Sequence, residues 1–109
     1  MRSRYCAYAL GLADYIIDTT HPEGPQHQAD ESAWRAEIRR FHEETRFEDL
    51  EILGVREGEE EATVRFLAGL SSGPRDRSFA EDSLFRRWNG TWRYHSGKRL
   101  PPGIFEPLR

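Results

Sequence analysis

Phe79 to His95 read FAEDSLFRRWNGTWRYH, two runs rich in aromatic residues parted by Asn89-Gly90. Asn-Gly between such runs is the strongest short signal for a two-residue hairpin loop, because both central residues of a type I′ turn take positive φ. The loop fixes the register: Trp88 faces Thr91, Arg87 pairs with Trp92, and Phe85 pairs with Tyr94. One face of the hairpin then carries Glu81, Ser83, Phe85, Arg87, Trp92 and Tyr94. The other carries Asp82, Leu84, Arg86, Trp88, Arg93 and His95.

Outward from this hairpin the chain changes period. Ala62, Val64, Phe66, Ala68 and Leu70 alternate strictly and predict a strand over about 61–70, while Leu50, Ile52 and Val55 suggest another over about 49–57, with Gly58 in the turn between them. The hairpin strands span about 78–88 and 91–96, and Ser71 to Arg77, with Gly73-Pro74, reads as a loop. Before Phe47 the spacing is helical. Tyr5, Tyr8, Leu12, Tyr15, Ile16 and Thr19 mark one face of a helical stretch over about 3–20, which Gly11 splits as a C-cap or kink and Pro22 ends. Asp30 is the expected N-cap of a helix over about 31–45 with a stripe of Trp34, Ile38, Phe41 and Thr45. From residue 98 to 109 three prolines predict an extended tail. Helices followed by an antiparallel meander make an α+β domain, its helices packed on one face of a curved sheet that encloses a concavity.

The bulk numbers narrow the function. A length of 109 residues suits one domain with one core, and three Trp, four Tyr and six Phe are enough to fill it. A net charge of -3 with both signs interspersed lacks the basic footprint of nucleic-acid binding. No run of about 18 apolar residues exists to cross a membrane, and no signal-peptide pattern opens the chain. Cys6 is the lone cysteine, so neither an intrachain disulfide nor a cysteine-rich zinc site can form. It reads as a small buried apolar group, and a cytoplasmic setting is the default expectation.

Met1-Arg2-Ser3-Arg4-Tyr5, Ala7-Tyr8, Ala13-Asp14-Tyr15 and His21-Pro22 resemble the opening of the YchJ-family central domain. Glu81, Ser83 and Phe85, followed by Asn89-Gly90, Trp92, Tyr94 and Gly97, resemble that family's closing hairpin. The resemblance implies the cone-shaped fold of the nuclear-transport-factor-2-like superfamily. Family members typically carry zinc-binding SEC-C motifs beside this domain, but with Cys6 alone no residue here inherits a zinc role. The family also tends to have Arg where this chain has Asp82 and Leu84, and its Met-Arg-Ser-Arg segment follows the first zinc motif. Met1 therefore resembles an internal position.

Glu81, Ser83 and Tyr94 on one predicted sheet face, covered by Arg4 and Tyr8 of the first helix, form the expected site. Tyr15, Trp34, Phe85 and Trp92 complete the expected pocket lining. A carboxylate on an apolar face is costly to bury unless paired, and Arg4 is its expected partner. Glu81, Asp14 and His21 are the candidate general acids or bases, as acidic residues are in some enzymes of the superfamily. Against that stand plainer readings: a buried structural salt bridge for Glu81, and helix-end capping or packing for His21. His27, His42 and His95 show no ligand spacing, so neither a metal nor another cofactor is expected. The functional expectation is a non-enzymatic binding or accessory module for a small molecule or protein partner. The alternative is a small-molecule enzyme using a pocket carboxylate or histidine. Leu84 and Trp88, on the sheet face away from the helices, motivate a homodimer.

Overall fold

The computed structural model describes residues 1–101. In chain order they form α1 (Arg2–Leu10), α2 (Ala13–Asp18) and α3 (Glu31–Glu44), then β1 (Arg46–Glu57), β2 (Glu61–Ser72), β3 (Arg75–Asp76), β4 (Phe79–Trp88) and β5 (Thr91–Arg99). Gly11 takes φ 73°, a left-handed C-cap whose N–H donates to carbonyls of the last α1 turn, so the chain turns from α1 into α2. Asp30 caps α3 by accepting from the Ala33 amide at 3.1 Å.

The strands form one antiparallel sheet in the order β1-β2-β4-β5, with the two-residue β3 paired to the end of β2. The Ser71 to Arg77 segment, expected as a loop, thus holds a small hairpin. Asn89 and Gly90 have φ of 52° and 81°, the positive values that the two-residue turn requires. Trp88 pairs with Thr91, Arg87 with Trp92 and Phe85 with Tyr94.

Three bulges give the sheet its curvature. On β1, Glu48 and Leu53 have no partner of their own on β2, because pairing steps from Phe47 to Asp49 and from Ile52 to Gly54. Phe47, Leu50, Ile52 and Val55 therefore oppose Leu70, Ala68, Phe66 and Val64 despite uneven spacing. On β5 the unpaired residue is His95: Phe85 pairs with Tyr94 and Leu84 with Ser96. That extra residue brings Gly97 and Arg99 to the face already occupied by Tyr94. The strand continues to Arg99, past the expected end at 96, so the first part of the expected tail is sheet. The rest of that tail, 102–109, lies outside the described residues.

The core has two parts. Ala62, Val64, Phe66, Ala68, Leu70, Phe85 and Tyr94 line the concave sheet face, with Tyr5 and Phe47 packed on them. Ala7, Ala13, Ile16, Ile17, Trp34 and Ile38 fill the space among the helices. Thr19 and His21 hydrogen bond to both sides of Tyr94 on β5, so the segment after α2 closes that sheet edge. Cys6, expected to be buried, is exposed: Arg4 and Ala7 are the buried residues of α1, and Cys6 falls on another side of the helix.

Candidate functional site

Glu81 on β4 is 8 % exposed and Ser83, two residues on and on the same face, is fully buried. The Ser83 hydroxyl donates to Glu81 Oε2 at 2.6 Å, and the Tyr94 hydroxyl donates to the same oxygen at 3.3 Å. Arg99 Nε stands 3.6 Å from Oε1, its guanidinium stacked 3.7 Å from the centre of the Phe79 ring. Gly97, directly across the strands from Ser83, makes room for this cluster, because a Cβ there would collide with the Glu81 carboxylate.

Arg4 of α1 is buried, with its guanidinium 4.6 Å from the centre of the Tyr94 ring. It is not the ion-pair partner of Glu81 that its position on α1 suggests. Its Nη1 donates instead to the Ile16 carbonyl at 3.2 Å and to the Thr19 and Thr20 hydroxyls at 2.7 and 3.3 Å. These acceptors lie at the C-terminal end of α2, where backbone carbonyls lack helical partners and attract a cation. Burial holds Arg4 below the ordinary guanidinium value, with Tyr8 and Tyr94 opposing the shift, and it stays charged. Burial likewise pushes the Tyr8 and Tyr94 hydroxyls above the usual phenol value, so both are neutral at pH 7.

The expected pocket is two cavities that share Arg4. One, of about 260 Å³, lies between α1 and the sheet and has Tyr5, Tyr8, Phe41, Phe47, Phe79, Glu81, Tyr94 and Arg99 in its wall. The other, of about 310 Å³, is lined by Tyr15, Thr19, Val55, Glu57, Ala62, Phe85 and Trp92. Buried charge and hydroxyls converge on the first, which makes it the candidate site. Sequence reasoning missed Arg99 there because the bulge at His95 reverses which residues of β5 face inward. Gly97, the glycine beyond the aromatic run, was the available signal.

Three expected site residues lie elsewhere. Asp14 is largely exposed on α2 and ion-paired with Arg35 of α3 at 2.8 Å, on the outside of the helical layer. His21 is buried, but against the outer sheet face, with its ring 5.1 Å from Trp88 and 5.2 Å from His95. Its Nδ1 accepts from the Glu23 amide at 3.0 Å, which organises the turn after α2. Trp34 belongs to the core among the helices and packs edge-to-face on His27 at 5.4 Å. Among the described residues no three His, Cys, Asp or Glu side chains gather as a metal site, and no helix is long and apolar enough to cross a membrane.

Comparison with known proteins agrees with the geometry. A UPF0225 protein from Sodalis glossinidius is 36 % identical over 111 aligned residues, spanning 98 % of this chain and 69 % of that protein. The solution structure of a SEC-C motif containing protein from Rhodopseudomonas palustris superposes with a TM-score of 0.77 at 36 % identity, over 93 % of this chain and 76 % of that one. The crystal structure of another such protein, from Psychrobacter arcticus, gives 0.62 at 25 % identity, over 100 % and 60 %. The family described as "YchJ, middle NTF2-like domain" matches residues 1–97, and the chain belongs to it.

Proposed function

We propose that this domain is a binding module whose 260 Å³ cavity holds a small ligand. The observation that carries the reading is the state of Glu81, the carboxylate of that cavity. A general base needs a lone pair free to meet a substrate proton. Two hydroxyls already donate to Oε2 of Glu81, and Arg99 faces Oε1. A carboxylate held this way orients its neighbours and shapes a surface. His21 and Asp14, the other candidate bases, lie outside the cavity. In relatives that contain SEC-C motifs, such a cone would serve as the ligand-reading part of a larger protein.

Native mass spectrometry of freshly purified protein tests this reading, with release of any bound small molecule on denaturation. A stoichiometric ligand whose retention is lost on filling the cavity with Ala68→Trp supports it. Loss of retention with no change in fold on Asp14→Ala would point to a site elsewhere. The enzymatic alternative makes a different demand: a compound consumed by the wild type and bound but unchanged by Glu81→Gln.

A homodimer through the outer sheet face is a separate proposal, resting on Leu84 and Trp88. The His21 ring covers part of Trp88, and the Arg65–Asp82 and Arg86–Glu61 ion pairs flank it. Light scattering that reads a monomer at high concentration overturns it.

A further inference from the structure

We infer that the cavity beside Glu81 takes a small organic acid, a body of about one ring carrying a carboxylate that meets Arg4. This rests on reading the cavity as a binding site, and it names the ligand class.

The charges around the cavity do not balance. Arg4, Arg77 and Arg99 contribute three guanidinium groups to its wall against the single carboxylate of Glu81. Arg99 faces that carboxylate at 3.6 Å, while Arg77 is exposed at the rim. Arg4 is 4 % exposed, and among the described residues no carboxylate comes within ion-pair distance of it. A buried cation served only by neutral acceptors and a ring face is costly, and an incoming anion relieves that cost. Arg also suits a carboxylate in particular, because its planar donors match two oxygens. The neutral hydroxyl of Tyr8 stands beside it in the same wall and adds a donor for the acid's oxygens, while the Tyr94 hydroxyl is already committed to Glu81.

The remaining wall selects the body of the ligand. Tyr5, Tyr8, Phe41 and Phe47 form a chain of edge-to-face contacts at 5.4 to 5.7 Å, and Phe66 and Phe79 make a separate edge-to-face pair at 5.8 Å in the same wall. A volume of about 260 Å³ is below the roughly 300–1,000 Å³ of most ligand pockets, which suits a body of about one ring better than a nucleotide or lipid. An amine is disfavoured by the same three guanidinium groups that favour the acid.

The test uses three probes with one body and three charges: phenylacetate, phenylacetamide and phenethylamine, titrated into the full chain at pH 7 with amide shifts recorded by NMR. The expected result is that phenylacetate shifts Arg4, Tyr8, Glu81 and Tyr94, binds at least about tenfold tighter than the amide, and weakens with salt. The amine is expected to bind weakest. If the amide or the amine binds those residues as tightly as the acid, the cavity reading stands and the organic-acid inference falls. If no probe shifts those residues at millimolar concentration, the cavity reading falls and takes the inference with it. Arg4 also anchors α2, so Arg4→Gln is first checked for its fold by circular dichroism; in the folded variant the acid-over-amide preference should be lost. Arg99→Gln, at an exposed side chain, should keep that preference; a preference retained by folded Arg4→Gln, or lost on Arg99→Gln, overturns the inference.

Discussion

Ser83 is the residue whose chemistry is most constrained by its surroundings. It is fully buried, and its hydroxyl has a carboxylate oxygen of Glu81 at 2.6 Å. Ser83→Ala removes that donor and leaves Glu81, itself nearly buried, with one fewer hydrogen bond. Unfolding in urea should show a loss of about 1–3 kcal/mol, the cost of depriving a buried charged group of a partner. A loss within error would mean that the Glu81 carboxylate turns to solvent instead. Arg4 illustrates how far a single residue was legible in the sequence. Its position on the first helix placed it over the correct sheet face, because helix period and hairpin register together dictate which sides meet. Its partner was not legible. Whether a guanidinium reaches across to a carboxylate or back to the end of the next helix depends on where Gly11 turns the chain, and a glycine signals a break without giving its angle.

At the scale of the element, β5 decides the site. The bulge at His95 sends Gly97 and Arg99 inward, and Gly97 leaves space for the Glu81 carboxylate. Gly97→Ala should therefore destabilise the wild type, since its Cβ must displace that carboxylate. The same change should cost far less in a Glu81→Ala background, where nothing stands in the way. A double-mutant cycle on unfolding free energies is expected to give a coupling of about 1 kcal/mol or more in that direction. Additive effects would show that Gly97 is needed for backbone reasons alone. Strand alternation and the Asn89-Gly90 turn were readable because each is a local rule acting over two to four residues. Bulges were not, since an extra residue shows itself only against a partner strand. In retrospect the three-residue steps from Phe47 to Leu50 and from Ile52 to Val55 carry the two β1 bulges, and the strictly alternating β2 is the ruler that exposes them.

Across the whole molecule, the burial of two phenols under one helix makes stability depend on alkaline pH. Tyr8 and Tyr94 have folded-state values raised by burial above the ordinary phenol value of about 10. A raised value means that the folded protein holds these protons more tightly than the unfolded chain does. Their contribution is complete below about pH 10 and is lost as pH rises through the higher folded-state values, because the unfolded chain can release the protons first. The urea midpoint should therefore be insensitive to these groups between pH 7 and about 9.5 and fall steeply above pH 10. Tyr94→Phe removes one of the two ionisations and should flatten that fall, although it also lowers stability at neutral pH by taking a donor from Glu81. Absorbance at 295 nm gives an independent readout, with Tyr8 and Tyr94 ionising only as the fold opens. If Tyr8 and Tyr94 titrate near pH 10 in a protein that remains folded by circular dichroism, then water reaches both phenols and the space between α1 and the sheet is open. The acid-binding cavity needs the opposite result, because only in a site screened from water does the Arg4 charge weigh heavily enough to choose a carboxylate over its amide.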